Sequence, residues 1–431
     1  MAKKSAKLNE INNIFKENNI TTETIEINDE IIEEIKKQAS YIQDYRNESY
    51  VKHLLVDVVM ITFFAILGNA NEWDEIEVFA KEKERWLRKY LELPYGVPTD
   101  DTIRLIISNI DSTQFYKVTI AFLMEIIDKM LKLGNVDTEA MGADIIAVDG
   151  KESRGSKRER TIDEEVRALQ TLNVYSTSYR MCIAQKFIEE KTNEIPAAQE
   201  ILRMMDLKGD IVTADAMNCQ KETVSVIIKS GGDYVLALKG NHKLFYSEVA
   251  DYFDEACQKE IEAKEGCYYK TKEKEHSGIA IREYYISDDI SWFEEKAQWS
   301  KLKTFGMVKK THKKNNGETI IEYRYYICSI SADAELFERA ARGHWGVENN
   351  LHWALDFTFK DDKNTSMAKT GAKNMQIMKK IVLAILGIVK ESYKLSMAKI
   401  RYKISLNYED GIRKLLSLLS IDAVEKALIK K

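Results

Sequence analysis

Two short apolar runs, Ile145-Ile146-Ala147-Val148 and Ile211-Val212-Thr213-Ala214, each end in an aspartate, Asp149 and Asp215. A third run, Tyr234–Leu238, ends at Lys239-Gly240. Runs of this length and content read as strands. Helical spacing fills the intervals, over Ile195–Met205 with Pro196 in its first turn and over Cys219–Lys229. Two further strands, Thr171–Ser176 and Tyr179–Phe187, flank the polar link Thr177-Ser178 and predict a hairpin. From 144 to 240 the order is therefore strand, strand, strand, helix, strand, helix, strand. An antiparallel hairpin joined to a parallel βαβ part is the order of an RNase H-like mixed sheet, although other α/β folds share the alternation.

The acids matter because ligands collect at the carboxyl ends of strands in open α/β sheets. If the two strands are neighbours, Asp149 and Asp215 converge, and two adjacent carboxylates repel. A hard divalent cation removes that cost. Taken singly, either Asp also reads as the cap of a following turn. Asp149 leads into a basic loop with Lys151, Arg154, Lys157, Arg158 and Arg160.

The flanks differ in texture. Residues 1–45 are polar, with a surface helix expected around Ile31–Lys37. Residues 48–134 have helical spacing throughout, and Leu93-Pro94-Tyr95-Gly96-Val97-Pro98 breaks them before a helix capped by Thr99-Asp100-Asp101. Four alternating strand-like stretches, Tyr268–Lys272, Ile279–Ile286, Lys303–Lys309 and Ile320–Ser329, predict a β-rich insertion at 266–330. A long helix follows Ser331 and runs toward Trp353, with further helices over Asn374–Tyr393 and Tyr408–Lys430. The expected domains are a helical 1–135, compatible with a DNA-binding head or with a plain helical bundle, an α/β part at 140–265 resumed at 331–395 around the insertion, and a helical tail at 396–431.

In the helix after Ser331, Leu336, Ala340, Val347, Leu351 and Leu355 form an apolar stripe, with Glu348 and His352 on its border and His344 one turn earlier. Glu348 is thereby expected to face the sheet. Gly343 and Gly346 each cost a helix about 1 kcal/mol, which implies close backbone approach or a kink. His344-x3-Glu348-x3-His352 also has three ligands on one face for zinc, but its spacing departs from the better-known helical zinc motif.

Composition excludes several classes. With 45% apolar and 31% charged residues, and 3 prolines, the chain is neither disordered nor a Pro-rich linker. The longest apolar run, near Val58–Leu67, is too short to span a membrane, and no apolar stretch follows the N-terminus as in a signal peptide. Five scattered cysteines without CxxC spacing point to a reducing, cytoplasmic setting. The net charge of -5, taken alone, argues against a protein that coats nucleic acid, but leaves room for a local basic groove.

Several stretches together resemble the H-repeat-associated, ISAs-type insertion-sequence transposases of the DDE superfamily. They are Val148-Asp149-Gly150-Lys151 with Arg154-Gly155-Ser156, Ala214-Asp215-Ala216 with Gln220-Lys221-Glu222-Thr223, Tyr234–Asn241, and Arg342–Asp362, notably Val347-Glu348-Asn349 and Leu351-His352-Trp353. Trp73–Ile76 and Gly96–Thr102 resemble the family's associated helical domain. The resemblance spans roughly residues 40–390 and implies an RNase H-like catalytic domain with Asp149, Asp215 and Glu348 as catalytic and metal-binding residues. It implies two Mg²⁺ or Mn²⁺ ions, cleavage and strand transfer of double-stranded DNA at terminal inverted repeats and target, and a homodimer in the synaptic complex. The wider superfamily's Tyr and Arg before the Glu and Lys after it are not matched: His344 lies four before, Arg342 six before, and Leu355 seven after Glu348. Expected DNA contacts are Lys151, Arg154, Lys157, Arg158, Arg160, Arg342, His344, His352, Lys369 and Lys373, with Lys379 and Lys380 beside them. The alternatives are an RNase H-like nuclease that only hydrolyses and an inactive DNA-binding remnant.

Overall fold

A computed structural model describes residues 31–133, 143–161, 164–166, 168–188, 193–275, 277–363 and 369–418. The chain forms two compact units, one of 1–138 with 355–431 and one of 139–354.

The first unit is helical among its described residues. Its centre is the helix Leu55–Leu67, in which every residue except Val56 is buried. The apolar run that is too short for a membrane is thus an ordinary core helix. Among the described residues no helix is long and apolar enough to cross a membrane. The Leu93–Pro98 breaker is a turn with Leu93 and Gly96 at positive φ, and Thr99 caps the helix Asp100–Ser108 by accepting from Thr102 N.

The C-terminal helix Met397–Leu406 supplies the bolt of this unit. Arg401 is fully buried and donates to the carbonyls of Ile66 (2.6 and 3.0 Å), Ala70 (2.9 Å) and Thr358 (2.6 Å), and to Asn71 Oδ1 (3.1 Å). Its guanidinium lies 4.3 Å from the centroid of the Phe359 ring. One side chain thereby satisfies carbonyls at the end of the core helix that have no partner within it.

The second unit is built on a sheet. Its strands are β1 (Ile145–Ser153), β2 (Arg158–Thr161), β3 (Glu164–Val166), β4 (Leu169–Ser176), β5 (Met181–Ile188), β6 (Ile211–Ala214), β7 (Asp233–Leu238), β8 (Tyr268–Glu275), β9 (Gly278–Ser287), β10 (Thr304–Lys314) and β11 (Thr319–Cys328). Nine form one mixed sheet in the order β5-β4-β1-β6-β7-β11-β10-β9-β8, while β2 and β3 pair separately. β1, β6 and β7 are mutually parallel, and every other pairing in the large sheet is antiparallel.

Helices cover both faces. On one face α1 (Glu194–Arg203), α2 (Lys221–Lys229), α3 (Lys243–Tyr252) and α4 (Glu255–Ala263) pack through Ala198, Ile201, Val224, Ile227, Val249 and Ile261 onto Ile146, Val148, Val212 and Leu236. On the other, α5 (Ala334–Gly346) packs Phe337, Ala340 and Ala341 onto Ile145, Ile211 and Val235. Two-sided burial explains why the parallel strands read as continuous apolar runs.

The expected layout differs from this one in several places. Strands 268–328 do not form a body of their own: β11 pairs with β7, so the insertion widens the same sheet. The stretch expected to close the α/β domain, 331–395, divides at 354/355, and its later part belongs with the N-terminal helices. There the long helix Lys369–Tyr393 buries Lys379 and Lys380, which removes both from the expected DNA surface. Asn374 on it donates to the carbonyls of Ile107 and Ile110 at 2.7 and 2.9 Å. The expected helix over Tyr408–Lys430 is described as Tyr408–Leu418, and its remainder, like residues 1–30, lies outside the described residues.

Arg401→Met keeps the volume and removes the donors. It is expected to lower stability by roughly 3 kcal/mol, since several buried carbonyls lose a charged partner. Urea unfolding followed by circular dichroism measures this.

Candidate active site

The register of one strand pair positions the first two acids. β1 and β6 pair in parallel from Ile145↔Ile211 to Val148↔Ala214, a constant offset of 66 residues. The next position on each strand is Asp149 and Asp215, so both leave the sheet side by side at its carboxyl edge. Side chains alternate along a strand. Ile145 and Ile211 face α5, and by the same count Asp149 and Asp215 lie on α5's side of the sheet.

Each acid is held. Asp149 Oδ1 accepts from the Gly150 N–H at 2.9 Å, and Oδ2 lies 3.5 Å from His352 Nδ1. The other ring nitrogen of His352 is 3.1 Å from Asn173 Nδ2, and Asn173 is the fully buried β4 partner of Asp149. Asp215 caps a tight turn, Ala216–Asn218, and its Oδ1 accepts from the backbone and side-chain nitrogens of Asn218 at 3.3 and 3.2 Å. Asn241 and His242, just beyond β7, brace that turn through the carbonyls of Ala216 and Cys219, each at 2.7 Å. The capping reading of Asp215 is thus correct and leaves its second oxygen available.

The third acid arrives on an unusual helix. After α5 the chain continues as a π-helical turn, Val347–His352, before Trp353–Phe359. Val347 and Leu351 point into the core, and Glu348 is exposed rather than turned onto the sheet. The wider turn shifts residues four apart off a common line. That displacement weakens the zinc spacing of His344, Glu348 and His352. Gly343 allows α5 to sit low on β1, where an added Cβ would lie 2.8 Å from Ile145 Cγ2.

Electrostatics ties the acids together. Burial, then the charges of Asp215 and Glu348, push the Asp149 carboxyl up to about 7. A fourth acid, Glu194, contributes in the same direction. It went unnoticed among the polar residues before α1. His344 is pushed down to about 4 by burial, against the pull of Asp215, and its Nδ1 lies 3.5 Å from Thr213 Oγ1. It is a neutral packing group at neutral pH. Cys219, a core residue as read from the sequence, has its thiol pushed up to about 12 by burial. Among the described residues no three His, Cys, Asp or Glu side chains are placed to share an ion in this conformation.

The Transposase DDE domain family matches residues 140–385, and the DDE_Tnp_1-associated family matches 38–123. The chain belongs to the DDE transposase family. It is 33% identical over 383 residues to "Putative transposase YncI" of Escherichia coli O157:H7, covering 87% of this chain and 93% of that protein. It is also 33% identical over 340 residues to "H repeat-associated putative transposase YhhI" of Escherichia coli K12, covering 77% and 84%. A piggyBac transposase synaptic complex with hairpin DNA aligns at 12% identity and a TM-score of 0.35, over 93% of this chain and 80% of that one.

In this transposase-family chain the expected basic residues scatter. Lys151 is buried within β1, opposite Thr171, because the strand runs on past Gly150 instead of ending there. Arg154 and Lys157 are exposed beyond the end of β1, and Arg158 and Arg160 fall on β2. Lys369 and Lys373 open the helix Lys369–Tyr393 of the helical unit. Arg342 pairs with Glu273 at 3.0 Å.

Arg342 also lines a recess of about 320 Å³ beside the Glu348 turn, with Arg282, Lys310, Arg324, Trp345, Asn349 and Asn350. Glu273 and Glu275 pair with three of the four cations. Arg324 instead lies 4.7 Å from the centroid of the Trp345 ring. Spacing along the sequence gave no sign of Arg282, Lys310 and Arg324. Their alternation on paired strands is the signal that gathers them.

The raised Asp149 pKa has a stability consequence. The folded chain holds a proton there that the unfolded chain releases near pH 3.8, so the stabilisation is full below that value and is lost as pH rises through about 7. In chelator, Asp149→Asn is expected to reduce the loss of stability between pH 5 and pH 8 by on the order of 2 kcal/mol. Urea titrations at the two pH values measure this.

Proposed function

We propose that the chain cleaves DNA strands at the ends of an insertion sequence and joins them to a target, using Asp149, Asp215 and Glu348 on an RNase H-like sheet. The observation that carries this reading is the β1–β6 register, which sets two acids side by side, with Glu348 within electrostatic reach of Asp149. The antiparallel β5-β4-β1 part and the parallel β1-β6-β7 part support the RNase H-like assignment.

The donor set suits Mg²⁺ or Mn²⁺. It consists of carboxylate oxygens, which hard cations prefer, and the acids repel one another without a counter-charge. Asp149, Asp215 and Glu348 would hold such ions, and the chemistry supplied there would be activation of water or a DNA 3′-hydroxyl and charge stabilisation at the leaving oxygen. The protein's own contributions are separable. His352, steadied by Asn173, orients Asp149, and Asn218 fixes one oxygen of Asp215 so that the other points outward. Glu348 is exposed on its π turn, and its charge acts on Asp149. No protein nucleophile takes part.

DNA is held by local charge despite the acidic total. Arg282, Lys310, Arg324 and Arg342 outnumber their three glutamate partners, Glu273, Glu275 and Glu338, and Trp345 offers a flat apolar surface. Arg154 and Lys157 stand near the end of β1 as additional phosphate contacts. A homodimer brings two DNA ends together.

With Mg²⁺ and duplexes carrying the element's ends, Asp149→Asn, Asp215→Asn and Glu348→Gln are each expected to reduce cleavage by at least about 1,000-fold while leaving DNA binding intact. Full activity in any folded variant removes that residue from the set. Joining of a cleaved 3′ end to target DNA distinguishes a transposase from a nuclease that only hydrolyses. Arg324→Ala is expected to weaken duplex binding about 10-fold and to flatten its salt dependence by about one counterion, as read by fluorescence anisotropy across salt.

A further inference from the structure

The strands β8–β11 project past the carboxyl edge of the parallel strands. β7 ends at Leu238, opposite Tyr325, and the residues of β11 before Tyr325 lie beyond that end. Register assigns a face to each residue of the projection. Tyr325, Met307, Tyr285 and Tyr268 form one cross-strand row, packed with α3 and α4 on the side of the sheet opposite α5. Two residues further out, the same face carries Tyr323, Lys309, Glu283 and Lys270. Ile321, Thr311, Ile281 and Lys272 come next, then Thr319, Lys313, Ile279 and Lys274. These outer rows are open: Lys272, Lys274, Ile279, Lys313, Ile321 and Tyr323 are exposed.

Charge is sorted between the two faces. On the open face Lys270, Lys272, Lys274, Lys309 and Lys313 stand against a single acid of these strands, Glu283, which pairs with Lys270 at 2.8 Å. Among the described residues no ion pair engages the other four lysines. The reverse face of the same strands carries Glu273, Glu275 and Glu322 among its bases. Lysines on an edge strand often guard it against pairing with another chain, and β8 is such an edge. Lys309 and Lys313 lie on β10, which is paired on both sides, so edge protection does not account for them. Lysines about 7 Å apart along a strand offer point charges for phosphates. These rows hold no Arg, Asn or Gln, the main readers of base edges.

We propose that this face is a second DNA-binding surface, which holds the backbone of a duplex of any sequence on the side of the sheet away from the acids. The proposal rests on the reading of the chain as one that acts on DNA. It concerns a different surface from the recess, whose lining includes Arg282, Arg324 and Arg342 on α5's side. The sheet itself separates the two, so the duplex held by the lysines is not the segment presented to Asp149 and Asp215. The chain thereby carries two DNA segments at once.

Fluorescence anisotropy of the full chain with a labelled duplex of arbitrary sequence, measured across salt without divalent cations, tests this. Lys309→Gln combined with Lys313→Gln is expected to weaken binding about 10-fold and to lower the salt slope by about two counterions. Lys309→Arg combined with Lys313→Arg keeps the charges and is expected to bind as the unaltered chain does. Lys272→Gln combined with Lys274→Gln is expected to weaken binding as the β10 pair does. Unchanged affinity in both glutamine variants overturns the proposal, and self-association of the β8 variant then assigns those lysines to edge protection. Binding to phosphatidylserine vesicles that exceeds duplex binding, and is lost in the glutamine variants, overturns it in favour of a membrane surface. Failure of the unaltered chain to bind any duplex, element ends included, overturns both this surface and the DNA-joining reading above.

Discussion

Parallel pairing of β1 with β6 is the constraint from which the rest of the site follows. The 66-residue offset fixes Asp149 beside Asp215, and the pairing holds only while both strands are buried on both faces. A slip of one residue in either strand would turn its aspartate to the opposite face and away from the other. The helices α1, α2 and α5 are therefore more than a covering. Their apolar stripes lock the register, and through it the spacing of the acids. Gly343 belongs to the same constraint, since it allows α5 to approach Ile145 closely enough to seal that face.

The arrangement carries an electrostatic cost that the core has to support. Asp149 and Glu194 are both displaced toward the protonated form, with burial as the larger cause in each case. A site tuned only for stability would place a lysine or arginine among these acids. The cation nearest in sequence, Lys151, is instead buried in the β1–β4 pairing. The positive charge of the region is gathered in a separate recess under the Glu348 turn. Segregating acids from bases in this way leaves the acids without the internal neutralisation that a mixed cluster would give.

Most of the scaffold was legible because its elements are locally consistent. The parallel strands announced themselves as unbroken apolar runs, and the hairpin, the Thr99 cap and the strands of 266–330 showed through β-branched content and turn residues. Pairing across distance was not legible: alternation places strands on a sheet without saying which sheet, so β8–β11 read as an insertion when they extend the main one. Residues 355–395 group by contacts with the N-terminal helices, a partition that a helical period leaves open because it is the same whichever core it faces. At the site, the aspartates are visible from their strands and Glu348 from the border of an apolar helical stripe, while its role beside them is what the family resemblance implies. Glu194 had no local signature, being one more acid in a polar stretch.

The π turn is the feature that periodicity could least have disclosed, because Val347–His352 keeps apolar residues at spacings that suit an α-helix equally well. Its consequence is mechanical. Val347 and Leu351 anchor the turn in the core, while the wider winding carries Glu348 outward and brings His352 back to Asp149. One segment thus supplies a largely buried partner for the first aspartate and an exposed acid. A regular α-helix would place Glu348 and His352 in line on the same face, and it would fix both or neither. The winding thus sets one exposed acid apart from the two that strand register fixes.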